Sequence, residues 1–156
     1  RPGVTRMATR VFELSTGVTA APEVVIDFLI TLDRHRGMHP YLASATIVAF
    51  GNDDGVPWWD WRVVERPALG PLRYTIRFPA RMTRLSLTSM RGSVRAAPGC
   101  LLDTVTTAES DADGGVTVRE TTTVTAPRIV LGYMAKHAEL AHARTFSLLA
   151  GELGAS

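Results

Sequence analysis

Apolar positions recur at two different intervals along this chain, and the changes of interval divide it into elements. From Thr9 to Val18, Phe12, Leu14, Thr16 and Val18 alternate with Val11, Glu13, Ser15 and Gly17, which predicts a half-buried strand. Thr19-Ala-Ala-Pro22-Glu23 then opens a helix. Thr19 can cap it, Pro22 suits a first turn where its missing N–H costs nothing, and Glu23 favours the positive end. Val25, Phe28, Leu29 and Leu32 follow at helical spacing. Gly37 and Pro40 stop the run soon after Asp33, leaving room for a second short helical piece near Arg34–Met38.

From Ala43 onward the interval is two. Ala45, Ile47 and Ala49 alternate with Thr46, Val48 and Phe50, and Gly51-Asn-Asp-Asp-Gly55 supplies a turn. Trp58 to Arg66 reads as the next strand, ended by Pro67. After Gly70-Pro71, Leu72, Tyr74, Ile76 and Phe78 share one face and Arg73, Thr75 and Arg77 the other, which predicts a strand with one wet face. Met82 to Gly92 continues the sheet, Ala97-Pro98-Gly99 turns, and Cys100 to Glu109 follows. Asp111-Ala-Asp-Gly-Gly115 makes a further hairpin into the Thr/Val-rich strand Val116 to Thr125, which Ala126-Pro127 ends. Arg128 to Leu153 returns to helical spacing, with Leu131, Met134, Ala138, Ala141, Thr145, Leu148 and Leu149 on one stripe, loosened at its end by Gly151 and Gly154. A meander of this kind cannot bury its apolar face alone, and the last helix is the only partner large enough.

Composition narrows the picture. The chain has 156 residues, 46% apolar and 21% charged, which suits one soluble globular domain. The pattern places that domain at residues 9–153, with residues 1–8 a leader or disordered N-terminus and Met7 a candidate natural start. No apolar run reaches the length of a membrane span, so no stable membrane insertion is expected. Cys100 stands alone, which excludes an internal disulfide and fits a cytoplasmic setting. Of 17 basic residues only Lys136 is not arginine, yet the net charge is +2 and the arginines are spread among acidic residues. That distribution argues against a nucleic-acid partner.

The element order resembles that of the SRPBCC superfamily, which includes START-like lipid-transfer domains, birch-pollen-allergen-like proteins and polyketide cyclases. Val18-Thr-Ala-Ala-Pro22-Glu23-Val24-Val25 is similar to the segment by which these domains pass from first strand to first helix. His35-Arg-Gly-Met-His39-Pro40 resembles their link into the second strand, and Thr125-Ala-Pro127 before a helix containing Ala141-His142 resembles the closing segment of actinobacterial members. The resemblance implies an α+β helix-grip fold: a curved antiparallel sheet of about seven strands around a long C-terminal helix, with two short helices after the first strand. It also implies a ligand cavity between helix and sheet. Fold alone does not fix activity.

Ala138 and Ala141, flanked by Met134 and Thr145, make a shallow stretch of the helix that would leave space, faced by Tyr74, Ile76 and Phe78. Close packing of the helix on the sheet is the alternative. Trp59 and Trp61 share a strand face with Val63 and are candidates for a flat wall against an apolar ligand, or for plain core. Glu120 falls on the face of Val116, Val118, Thr122 and Val124, so alternation carries a carboxylate inward, where it needs a partner. Arg62, Tyr74 and His137 are the candidates for that partner. The ligand-binding set is thus Trp59, Trp61, Tyr74, Ile76, Phe78, Glu120, Met134, His137, Ala138 and Ala141.

The remaining histidines point to no metal site. His35 and His39 have helical i,i+4 spacing, but Gly37 and Pro40 interrupt a helix there, and His137 and His142, five apart, poorly share one face. No cofactor fingerprint or metal motif is present. His39 before Pro40 fits a structural corner or cavity mouth, and Cys100 a small buried apolar position. The leading expectation is a binding or carrier protein for a small apolar ligand (a lipid, isoprenoid or polyketide-like molecule). One alternative is a polyketide aromatase/cyclase or dehydratase, with Glu120 or His137 as base and Tyr74 or Arg62 as donor. The other is a protein–protein adaptor or homodimer using Phe146 and Leu153, which fall off the main stripe.

Overall fold

The computed structural model describes residues 6–96 and 99–153. Strand β1 (Met7–Val18) leads into helix α1 (Pro22–Ile30), then a single 3-10 turn at Leu32–His35. Strands β2 (Leu42–Asp53) and β3 (Val56–Glu65) form a hairpin, and β4 (Ala68–Leu69) and β5 (Leu72–Arg73) a two-rung ribbon. Strands β6 (Ile76–Ser86), β7 (Ser89–Ala96), β8 (Cys100–Ser110) and β9 (Val116–Pro127) form a meander, and helix α2 (Arg128–Glu152) ends the chain. The seven long strands make one antiparallel sheet in the order β1-β9-β8-β7-β6-β3-β2. The expected leader over residues 1–5, the turn at Ala97-Pro98 and the loosening at Gly154 lie outside the described residues; Met7 and Ala8 belong to β1, opposite Pro127 and Ala126.

Local chemistry sets these boundaries. The β2–β3 turn needs positive φ at two successive residues, Asp54 at 53° and Gly55 at 86°, and Asn52 Oδ1 accepts the Gly55 N–H at 2.7 Å. Helix α1 begins at Pro22, and the residue at its cap is Ala21, whose carbonyl accepts the Val24 and Val25 N–H groups; Thr19 therefore does not cap it. The second helical piece is confined to the one 3-10 turn, and Gly37, at φ 88°, prevents it from continuing.

Two stretches differ from the periodicity. Leu72 to Phe78 is not one strand. The Tyr74 N–H goes to the Pro67 carbonyl at 3.2 Å, closing the β4–β5 ribbon, and the sheet resumes only at Ile76. Met82 to Gly92 is likewise two strands joined at Leu87-Thr88. Serine hydroxyls build that turn, Ser86 Oγ accepting the Thr88 N–H at 3.1 Å and meeting Ser89 Oγ at 2.7 Å, so no glycine or proline marks it.

The two helices cover different parts of the concave face. Helix α2 packs chiefly on β1 and β9, whereas α1 lies across β6, β7 and β8. One apolar cluster gathers Val25, Ile26, Phe28, Trp61, Met82, Val118, Phe146 and Leu149 around α1, and a second gathers Phe12, Cys100, Val124, Leu131, Ala135 and Ala138 under the start of α2. Phe146 is accordingly buried and not a surface residue, because the α1 cluster closes over the last turns of α2; Leu153 is half-buried against the same cluster.

Candidate functional site

Because α2 leans towards β1 and β9, space remains between it and β3, β6 and β7. A cavity of about 220 Å³ occupies this space. Leu29, Leu32, Val63, Ala80, Met82, Met90, Val94 and Leu102 give it a mostly apolar wall. Ile76, Phe78, Glu120, Met134, His137, Ala138 and Ala141 also line it, as the strand and helix periods place them. Trp59 and Trp61 face the same side of β3 as Val63 but stand further along it, in a separate hollow with Asp27, Ile30, Thr31 and Ile47 against α1. Trp58, on the outer face, lies against Gly51 and under the Arg81 guanidinium, 4.0 Å from the ring centre. Tyr74 is exposed, released from the sheet by the β4–β5 ribbon.

All four histidines of the chain line this cavity, with Glu65, Glu120, Tyr41, Thr104, Thr106 and Thr145. One of these polar contacts joins β9 to α2. Glu120 is buried, accepts the Thr122 hydroxyl at 2.8 Å, and accepts a hydrogen bond from His142 Nδ1. Burial alone would raise the Glu120 carboxyl, but the His142 charge and these two hydrogen bonds outweigh it and hold the carboxyl below its ordinary range. The same contact works in reverse on the imidazole. Burial opposes its charging, yet Glu120, with a further contribution from Glu65, lifts His142 above 6.5. With Nδ1 committed to Glu120, Nε2 is the nitrogen without a partner among the described residues. Phe12 fixes the ring edge-on at 5.7 Å.

A second pair sits where β3 ends. His39 Nδ1 accepts the Tyr41 N–H at 3.3 Å, so the ring proton resides on Nε2, which faces Glu65 Oε1 at 3.5 Å. Burial, and then the charges of His142, His35 and His137, push His39 down to about 3. Burial pushes Glu65 up to about 7, against the opposing pull of His142. Despite its ion-pair geometry, this contact is therefore between mostly neutral groups below about pH 7. His35 donates Nε2–H to the Phe28 carbonyl at 2.9 Å, and burial lowers its pKa.

His137 stands half-exposed near the first turns of α2. It stacks on Tyr41 at 4.5 Å and 9° and on Tyr133 at 5.6 Å and 25°. The Tyr133 hydroxyl in turn pushes the Tyr74 phenol above its ordinary range. The three tyrosines of the chain and one histidine thus form an arch from the residue before β2 across α2 to the link before β6, stacked at His137 and joined to Tyr74 through the Tyr133 hydroxyl. None of Arg62, Tyr74 or His137 partners Glu120; the partner is His142, to which the spacing of the histidines did not point. The missed cue is its position: His142 follows Ala138 by four, one helical turn along the same stripe. Among the described residues, no three of these groups converge closely enough to hold a metal ion.

No protein-family model matches the chain, and no curated protein matches it. Solved structures do. The Zhui aromatase/cyclase from Streptomyces sp. R1128 aligns at a TM-score of 0.73 and 13% identity, over 94% of each chain. TTHA0849 from Thermus thermophilus aligns at 0.64 and 17% identity, over 92% of this chain and 94% of that one. Ara h 8.0201 aligns at 0.63 and 16% identity, over 94% and 98%. The chain has the helix-grip fold of these proteins. At these identities the likeness concerns the fold.

Proposed function

We propose that the protein binds a small, largely apolar molecule bearing carbonyl or hydroxyl oxygens in the cavity, and transfers protons on it as an aromatase/cyclase or dehydratase does. The observation that carries this reading is the Glu120–His142 pair set into a mostly apolar wall. A carboxylate holding Nδ1–H raises the basicity of the imidazole, and leaves Nε2 free to accept a proton whenever the ring is neutral. For an aldol closure, Nε2 takes a proton from a carbon beside a carbonyl, and the electron pair passes to that carbonyl oxygen. The resulting enolate carbon attacks a second carbonyl, and the imidazolium returns its proton to the new alkoxide. The Glu65 carboxyl, mostly protonated below about pH 7, suits the donor that stabilises the first oxygen. The likeness to the Zhui aromatase/cyclase supports this reaction class.

A carrier role is the second reading, favoured by how little of the cavity wall is polar. Two measurements separate them. Native mass spectrometry with an aromatic polyketide mimic tests binding, and conversion of a poly-β-ketone mimic tests chemistry. Retained binding with conversion lost in His142→Gln supports the enzyme. Binding without any conversion by the wild type leaves the carrier. Absence of binding overturns both.

A further inference from the structure

The net charge of +2 conceals a separation of charge along the sheet. Three hairpin tips and the start of α1 lie at one end, carrying the exposed carboxylates Asp53, Asp54, Glu109, Asp111 and Asp113. The β4–β5 ribbon and the start of α2 lie at the other, with exposed Arg66, Arg73, Arg77, Arg95 and Arg128. Among the described residues none of these five arginines makes an ion pair, whereas Arg81, Arg84 and Arg91 are each held by an aspartate. The only carboxylate at the basic end among the described residues is Glu65, which lines the cavity; Asp103, two rungs further in than Arg95, is already held by Arg91.

The same end exposes large apolar side chains. Ile129 is 89% and Leu72 68% exposed, and Tyr74 and Tyr133 stand exposed beside them at the foot of the aromatic arch. Ile129 and Tyr133 are one helical turn apart on one face. Aliphatic side chains that reach past tyrosines, within a field of unpaired arginines, match the layered chemistry of a bilayer interface: hydrocarbon, then headgroup, then phosphate.

We propose that this end of the molecule docks reversibly on an anionic lipid surface. Leu72 and Ile129 enter the headgroup boundary, the tyrosines sit at its level, and the arginines face the phosphates. Docking is peripheral, since no helix among the described residues is long and apolar enough to cross a membrane. The acidic tips are turned away from the surface, which orients the protein as well as attracting it. An acidic protein face would satisfy the arginines but has no use for two protruding aliphatic side chains, so the lipid surface is favoured.

Flotation with phosphatidylcholine vesicles, with and without phosphatidylserine, tests this at low and high salt. The wild type is expected to float only with the anionic vesicles, and less at high salt. Arg73→Glu with Arg77→Glu should lower partitioning by about 25-fold or more, at about fivefold per positive charge removed from the surface. Leu72→Ser with Ile129→Ser should lower it by about tenfold, by loss of apolar burial. Phe50→Ser, at an equally exposed apolar residue near the acidic end, should leave it unchanged. No partitioning by the wild type, equal loss in Phe50→Ser, or binding to an acidic protein without binding to vesicles would each overturn the proposal. Ligand binding by native mass spectrometry is read separately, so failure here and failure of the cavity reading are distinguishable.

Discussion

Two glutamate–histidine pairs line one cavity, and their surroundings push them towards opposite charge states. Glu120–His142 favours charge: the carboxylate takes a second hydrogen bond from Thr122 at 2.8 Å, and His142 uses Nδ1 as donor. Glu65–His39 disfavours charge: its contact is 3.5 Å long, and His39 has spent Nδ1 as acceptor for the Tyr41 N–H. Residue type and burial are shared, so the difference lies in the number of donors at the carboxylate and in which ring nitrogen the backbone claims. The charged pair also acts on the neutral one, because the His142 charge helps to keep His39 unprotonated. One fold thereby keeps a strengthened base and, below about pH 7, an un-ionised acid in the same space.

The comparison breaks most sharply at His142. His142→Gln should lower conversion of the poly-β-ketone mimic by about 100- to 10,000-fold. Because Glu120 then lacks its partner, urea unfolding at neutral pH should also show a loss of about 3 kcal/mol. An unchanged rate would remove His142 from the chemistry.

Next comes His39, whose pKa falls from 6.5 to about 3 on folding. The folded state binds fewer protons than the unfolded one between these values, so stability drops as pH falls through that window, by up to about 5 kcal/mol. In His39→Gln the acid limb of an unfolding-versus-pH curve should be correspondingly shallower.

Glu65 gives the opposite slope. Its pKa rises from 4.5 to about 7, so the folded state keeps a proton that the unfolded chain releases. Stability therefore falls as pH rises from about 4.5 to 7, by about 3 kcal/mol, and then levels off. Glu65→Gln should flatten this limb and leave the protein more stable than the wild type at pH 8. A variant that is less stable there would show that the ionised Glu65 carboxylate is stabilised by a partner in the folded state and that folding does not raise its pKa.

The smallest effect is expected at Thr122. Thr122→Val removes one of two hydrogen bonds to Glu120 and should cost about 1 kcal/mol, with the pH profile of conversion displaced upward on its acid limb. No displacement would mean that His142 alone sets the Glu120 charge.

Much of the fold was legible because burial on one face imposes its period on the sequence. The inward turn of Glu120 followed from Val116, Val118, Thr122 and Val124 around it. The breaks at Tyr74–Thr75 and Leu87–Thr88 were not legible, since one depends on a carbonyl at Pro67 and the other on serine hydroxyls, neither of which disturbs the apolar pattern. Half of the site was hidden for a related reason. Strand alternation says which way Glu120 points, but its meeting with His142 depends on the roll of α2 over β1 and β9, a tertiary quantity. His39 and Glu65 come together only because β2 and β3 pair in the register that sets Leu42 against Glu65.

Gly92 lies on the cavity floor in β7, where an added Cβ would come within 3.2 Å of Met82 Sδ and 3.3 Å of Met82 Cε. Its neighbour is the pliable end of a thioether and not backbone, so the sheet can accept a methyl there by letting Met82 swing aside. Position 92 is therefore a place where one nucleotide change trims the chamber without touching either proton-handling pair. A lineage could move from longer to shorter guests through such steps while its acid and base stay in register, and a laboratory library at this residue would retrace that path.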